Sequence, residues 1–150
     1  MLNKGDQLPD LELEDQNGEL RSFADFKSKP HVIYFYPKDN TSVCTAQACG
    51  FRDNYEQFQE AGAEVIGISQ DSSVSHKKVA NKRRLPFILL SDPKKKALKA
   101  FGVPTTLFGL VPGRVTFVAD SKGQIIHTFR ADFSAERHII EAKKALSKLN

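Results

Sequence analysis

Apolar and polar positions alternate through LPDLELEDQNGELRSF, on either side of Asn17-Gly18, a dipeptide suited to a tight turn, so the pattern predicts a β-hairpin near the N-terminus. Beyond it, HVIYFYP is an unbroken run of β-branched and aromatic residues, the pattern of a strand buried on both faces, and Pro37 ends it. The period then changes. Cys44, Ala48, Phe51, Tyr55 and Phe58 recur at helical spacing, with Gly62 as the stop. AEVIGIS repeats the buried-strand pattern, a basic helix runs to about Arg84, and FILLS is a further short strand. Asp92-Pro93 reads as the N-cap and first residue of the next helix. After FGVPTTLFGLVPG, a loop rich in turn residues, RVTFVAD and QIIHTFRA flank Ser121-Lys122-Gly123 as a second hairpin. A last helix opens near Ser134, with Ala135, Ile139, Ala142, Leu146 and Leu149 on one face.

Strands alternating with helices and closing in a hairpin and a helix match an α/β thioredoxin-like fold, a central mixed sheet flanked by helices, with the first hairpin as an N-terminal extension. At 150 residues, 40% of them hydrophobic, the chain is long enough to bury a core as one domain, residues 1–150. The polar N-terminus carries no signal-peptide pattern, and nowhere do eighteen apolar residues run together, so a soluble, cytoplasmic protein without membrane attachment is expected. The net charge of +4 gathers in HKKVANKRR and PKKKALK. Spaced apolar residues in both stretches make them solvated helix faces rather than a nucleic-acid site, and no nucleic-acid motif accompanies them.

The chain has two cysteines, too few for a secreted disulfide framework. Cys44 falls where a central strand passes into a helix, and there the free N–H groups and the helix dipole favour an anion such as a thiolate. It also shares the apolar stripe of that helix, so the residues alone leave a reactive thiol and a small core residue both open. Cys49 lies about 140° further round the helix, on the side of Asp53 and Glu56, where a core role explains it poorly. Ideal helical geometry separates the two Cα atoms by about 8–9 Å, beyond disulfide reach, so the first turns must unwind if the sulfurs are to join. Gly50 would ease that unwinding. The C-x4-C spacing is not the C-x-x-C of a thioredoxin-type oxidoreductase, and His31, His76, His127 and His138 are scattered singly, without the spacing of a zinc site.

YPKDNTSVCTAQACGFRD resembles the active-site segment of the peroxiredoxins, whose Pro-x-x-x-Thr/Ser-x-x-Cys pattern is met by Pro37, Thr41 and Cys44. A second cysteine five residues on is similar to the peroxiredoxin Q, or bacterioferritin comigratory protein, subfamily, and GAEVIGIS, LPFILLSDP, FGV and GRVTFVAD follow in matching order. Where many relatives carry Pro-Gly between the Thr and the Cys, this chain has Ser42-Val43. The resemblance implies a peroxidase acting on hydrogen peroxide and organic hydroperoxides. Cys44 would be the peroxidatic cysteine, Cys49 the resolving cysteine that joins it in an intramolecular disulfide, and thioredoxin or a similar dithiol the reductant. Thr41 and Arg114 would hold the peroxide and Pro37 would shield the pocket. Gln47 would support them, set against its reading as an ordinary exposed helix residue. No metal, haem or flavin cofactor is implied. A monomer is expected, with a dimer as the alternative. A redox-sensing regulatory protein using the same cysteine switch is the rival reading.

Overall fold

The structure, a computed structural model, describes residues 1–26, 28–106 and 111–149. The order is β1 (Glu12–Asp15), β2 (Leu20–Ser22), a 3-10 turn (Phe23–Phe26), β3 (His31–Phe35), α1 (Ser42–Asp53), α2 (Tyr55–Glu60), β4 (Glu64–Ser69), α3 (Ser73–Arg83), β5 (Ile88–Ser91), α4 (Lys96–Phe101), β6 (Thr105–Thr106), β7 (Val111–Pro112), β8 (Val115–Ala119), β9 (Ile125–Arg130) and α5 (Ala135–Ser147). Seven strands form one sheet in the order β2-β1-β5-β4-β3-β8-β9, while β6 and β7 pair separately. β3, β4 and β5 run parallel, and the hairpins β1-β2 and β8-β9 extend the sheet antiparallel at its two ends. This is the mixed, helix-flanked sheet of the thioredoxin-like fold, with the expected hairpin in front. No helix among the described residues is long and apolar enough to cross a membrane.

β3 explains why the sheet has two cores. Its side chains point alternately to opposite faces, and every residue of it is buried. Val32, Tyr34 and Tyr36 join Phe51, Phe58, Val79, Ile139 and Leu146 on the face carrying α1, α2, α3 and α5. Ile33 and Phe35 join Phe101, Val115, Phe117 and Ile125 on the face covered by α4 and the N-terminal segment. With apolar side chains needed on both sides, alternation disappears from the sequence pattern, as it does in HVIYFY. The parallel register of β3 with β4 and its antiparallel register with β8 bring Phe35 opposite Ile68 and Val115. Arg114, one residue before Val115, is thereby delivered to the end of β3 where α1 begins.

Several local expectations change. The helix expected from Cys44 to Gly62 breaks at Asn54, whose side-chain amide donates to the Gly50 carbonyl at 2.7 Å and whose backbone leaves helical geometry at φ −107°, ψ 8°. A side chain competing for a helix carbonyl in this way ends the helix, and α2 restarts after it. Gly62 does terminate α2, at φ +73°. Asp92-Pro93 does not open α4. The amide of Lys95 bonds to the Asp92 carbonyl to close a turn first, Lys95 adopts φ 60°, and the helix starts at Lys96. Asp92 still caps it from a distance, its carboxylate accepting from the Leu98 amide at 3.0 Å. On α5 the buried face is His138, Ile139, Ala142, Ala145 and Leu146, whereas Leu149, beyond the helix, is exposed. The expected loop across FGVPTTLFGLVPG contains β6 and β7, and its Leu107–Leu110 stretch lies outside the described residues.

Candidate active site

The segment between β3 and α1 turns at Asn40, with φ +64°, and Thr41 leads into the helix with extended backbone. Asn tolerates the left-handed region better than most residues, which suits it to this turn. Cys44 is then the third residue of α1, buried, with its sulfur at 3.2 Å from Nη1 of Arg114. The same Nη1 donates to Oε1 of Gln47 at 2.7 Å, one helical turn beyond Cys44. Arg114 is only 5% exposed. Among the described residues no carboxylate lies within ion-pair distance of its guanidinium. A buried cation facing a sulfur and a neutral amide keeps its charge available to whatever negative charge develops at that sulfur.

The guanidinium is aimed by the β9-α5 connection. Nε of Arg114 donates to the Asp132 carbonyl at 3.3 Å and the Arg114 amide donates to the Asp132 carboxylate at 3.1 Å. Burial pushes the Asp132 carboxyl up, but hydrogen bonds from Arg130 and the Arg114 amide outweigh it and hold the group below its ordinary range. His138 secures the same connection from α5. Its Nε2 donates to the Ala131 carbonyl at 2.8 Å, so Nδ1 is the acceptor for the Thr116 hydroxyl at 2.8 Å. Gly113, just ahead of Arg114, has no room for a side chain: a Cβ there would meet the Pro104 carbonyl oxygen at 2.8 Å.

The other expected residues are nearby with different roles in the packing. Thr41 is exposed, and its hydroxyl donates to the Lys38 carbonyl at 2.9 Å, leaving its lone pairs open. Pro37 is half-buried at the end of β3. Cys49 is half-buried, and both cysteines are free thiols. Gln47 differs from the exposed-residue reading: it is 0% exposed, and its amide nitrogen has no hydrogen-bond partner among the described residues. Gly50 also has a tighter reason than helix weakness. A Cβ there would sit 2.8 Å from Cδ1 of Ile139, so glycine lets α1 and α5 pack closely. Asp132 and His138 carry no sequence signal for their support of Arg114, because the contact depends on where the β8-β9 hairpin returns the chain.

A buried guanidinium on a cysteine at the start of a helix, in a thioredoxin-like sheet, defines the class of thiol-based redox enzymes. The chain matches the AhpC/TSA family over residues 4–128, belongs to it, and falls in its peroxiredoxin Q, or bacterioferritin comigratory protein, branch. A chloroplastic peroxiredoxin Q of Populus jackii is 52% identical over 148 residues, covering 99% of this chain and 70% of that protein. Among solved structures, peroxidoxin BcpB from Mycobacterium tuberculosis aligns with a TM-score of 0.92 at 35% identity, covering 100% of this chain and 99% of that one. The Xanthomonas campestris bacterioferritin comigratory protein, a reducer of alkyl peroxides, aligns with a TM-score of 0.88 at 28% identity, covering 98% and 99%. The chain is accordingly an enzyme, a thiol-dependent peroxidase. One expectation is overturned: the relatives from Populus jackii, Triticum aestivum, Sedum lineare and Arabidopsis thaliana are all named chloroplastic, so the expected cytoplasmic placement does not stand.

Proposed function

We propose that Cys44 attacks the peroxide and Cys49 resolves the product, with Arg114 as the charge-stabilising group; the Arg114 Nη1 to Cys44 Sγ contact at 3.2 Å carries this reading. The Cys44 thiolate attacks one peroxide oxygen, the S–O bond forms as the O–O bond breaks, and the departing oxygen leaves as water or alcohol after taking a proton. Negative charge moves from sulfur onto that oxygen, within reach of a guanidinium that needs no reorganisation to receive it. The open lone pairs of Thr41 accept from the protonated peroxide oxygen, first-turn amides face the charged one, and half-buried Pro37 walls the site without adding a donor. Gln47 holds Nη1 in place through its carbonyl.

The sulfenic acid on Cys44 then condenses with the Cys49 thiol, forming the S–S bond and releasing water before further oxidation traps the site. Because Cys44 is buried beneath Arg114 and Cys49 lies five residues further round α1, the first turns unwind to let the sulfurs meet. A dithiol protein of the thioredoxin type returns both thiols by exchange. Hydrogen peroxide and small organic hydroperoxides are the substrates. Residues 1–150 work as one domain, and a monomer suffices because both sulfurs belong to one chain. Lys77, Lys78 and Lys82 on α3 stand exposed over buried Val79 and Ala80, which supports a solvated face rather than a nucleic-acid site.

The test is intact mass after excess hydrogen peroxide. The parent should lose two hydrogens, and Cys49→Ser should gain oxygen at Cys44. Two thiols surviving in the parent would sink the assignment.

A further inference from the structure

We propose that Asp39 and His76 are positioning residues for this reaction: their buried contact pins the β3-α1 connection to α3, seats Cys44 beneath Arg114 while α1 is folded, and sets the upstream limit of its unwinding. The inference rests on Cys44 and Cys49 having the roles proposed above.

Asp39 stands midway between Pro37 and Thr41, in a segment that would ordinarily be exposed, yet its side chain is 2% exposed and that of His76 is fully buried. One carboxylate oxygen accepts from the Tyr36 hydroxyl at 2.7 Å. The other faces Nδ1 of His76 at 2.8 Å and accepts from the Ser75 hydroxyl at 2.8 Å. Nε2 of His76 faces the Leu90 carbonyl at 3.0 Å, so both ring nitrogens have an oxygen partner. The Asp39 amide donates to the Asp71 carboxylate at 2.8 Å, and that carboxylate also accepts from the Ser69 hydroxyl at 2.7 Å. Burial pushes the Asp39 carboxyl up, but the bonds from His76, Tyr36 and Ser75 outweigh it and keep the group below its ordinary range, hence ionised.

These partners come from the end of β3, the β4-α3 connection, the first turn of α3 and β5. Among the described residues none comes from α1, so the anchor survives when α1 opens. Only Asn40 and Thr41 separate Asp39 from the helix. Tyr36, Asp39, Asn40 and Cys44 line the same small hollow, so the anchor and the reacting residue are on its common wall. Downstream, Phe51 is fully buried and stacks on Tyr34 with ring centroids 4.7 Å apart. Asp39 and Phe51 therefore bracket the segment holding both cysteines, and everything that has to move lies between two fixed points.

Asp39→Asn keeps the shape and removes the charge. In the Cys49→Ser background, stopped-flow oxidation of Cys44 by hydrogen peroxide should slow by about tenfold, as expected for weakening a buried charged hydrogen bond. With Cys49 present, disulfide formation should be as fast as in the parent or faster. Amide exchange should rise across residues 40–45 and stay unchanged in β3. A lower melting temperature with both rates unaltered would reduce the pair to a structural role and overturn the proposal, and so would equal slowing of both steps or unchanged exchange at 40–45. Should Asp39→Asn not fold, Tyr36→Phe removes one of the bonds and keeps the ring, and it should slow the peroxide step about threefold; no slowing there also overturns it. A parent that oxidises at Cys44 and joins it to Cys49, while the variants match it in both rates, removes this inference alone. A parent that does neither removes the proposed function and this inference together.

Discussion

Helices α1 and α5 each begin after an extended residue with a hydroxyl, and only α5 uses it as a cap. Ser134 accepts from the Arg137 amide at 3.4 Å, and Glu136 adds an acidic group to the first turn. α3 starts the same way, Ser72 accepting from the Ser75 amide at 3.2 Å. At α1 the Thr41 hydroxyl turns back to the Lys38 carbonyl, makes no cap, and no acidic residue follows in the first turn. A capping acceptor is worth about 1 kcal/mol, so α1 forgoes stability that α3 and α5 keep. The difference places open amides, the positive end of a helix and Arg114 around one sulfur. On the proposed reading, the start of α1 is arranged for the negative charge of a thiolate and of the departing peroxide oxygen, and the start of α5 for holding the residues behind Arg114.

Replacing the sulfur tests that contrast most severely. Cys44→Ser should lower peroxide consumption with a dithiol reductant by roughly a thousandfold or more, because a hydroxyl attacks far less readily than a thiolate at neutral pH. Appreciable turnover in that variant would move the attacking group elsewhere. Next comes the charge. Arg114→Ala should slow Cys44 oxidation by about 10²–10³-fold, the range found on removing a preorganised donor. Arg114→Lys should recover only part, since an ammonium cannot reach Cys44, Gln47 and Asp132 at once. An unchanged rate of Cys44 oxidation in Arg114→Ala would make the 3.2 Å contact incidental.

A cap can also be moved. Thr41→Asp should give α1 the acceptor that α5 already has, raising the melting temperature while slowing the peroxide step about tenfold by occupying an amide and adding negative charge beside the sulfur. Ser134→Ala should do the reverse, costing about 1 kcal/mol of stability with the peroxide step within about twofold of the parent. Should both substitutions change only stability, the uncapped start of α1 would have no bearing on the chemistry.

Much of this was legible along the chain, for identifiable reasons. The strands of the seven-stranded sheet follow from period and from turn residues, which act locally, while the short β6 and β7 carried no such pattern; Cys44 and Cys49 stand out because cysteine chemistry is specific. Arg114 was reached through resemblance, since nothing local joins residues 70 positions apart; the β3-β8 register does that. Gln47 had a supporting role only through the resemblance, while its polarity alone suggested an exposed helix position; the return of Arg114 from β8 gives its buried carbonyl a partner. Asn54 ended α1 through a side-chain bond to a carbonyl that helical periodicity does not register. Asp39 and His76 carry polar side chains typical of surface positions, and their meeting depends on the β3-β4-β5 order that lays α3 against the connection.

The smallest effect concerns pH, and it reaches the site from the α5 side. Burial lowers the His138 imidazole from its ordinary value of 6.5; the bond to the Ala131 carbonyl pulls it up and the charge of Arg114 pushes it down. The folded protein thus holds the proton less readily than the unfolded chain, so the stabilisation is complete above about pH 6.5 and is lost as pH falls through the lower folded value. His31, lowered by its own burial, acts in the same direction. Asp15, Asp39 and Asp132 are held below 3.8, so their contributions persist above that value and disappear only in stronger acid. Asp92, raised by burial, opposes the histidines between these limits. Melting temperature should therefore decline between pH 7 and pH 5 by an amount that reflects chiefly the two histidines. His138→Gln, whose amide can still donate to Ala131 and accept from Thr116, should flatten the decline without removing the His31 share. An equally steep profile in His138→Gln would show that the proton enters elsewhere, and that the hold of α5 on Arg114 does not weaken with acid.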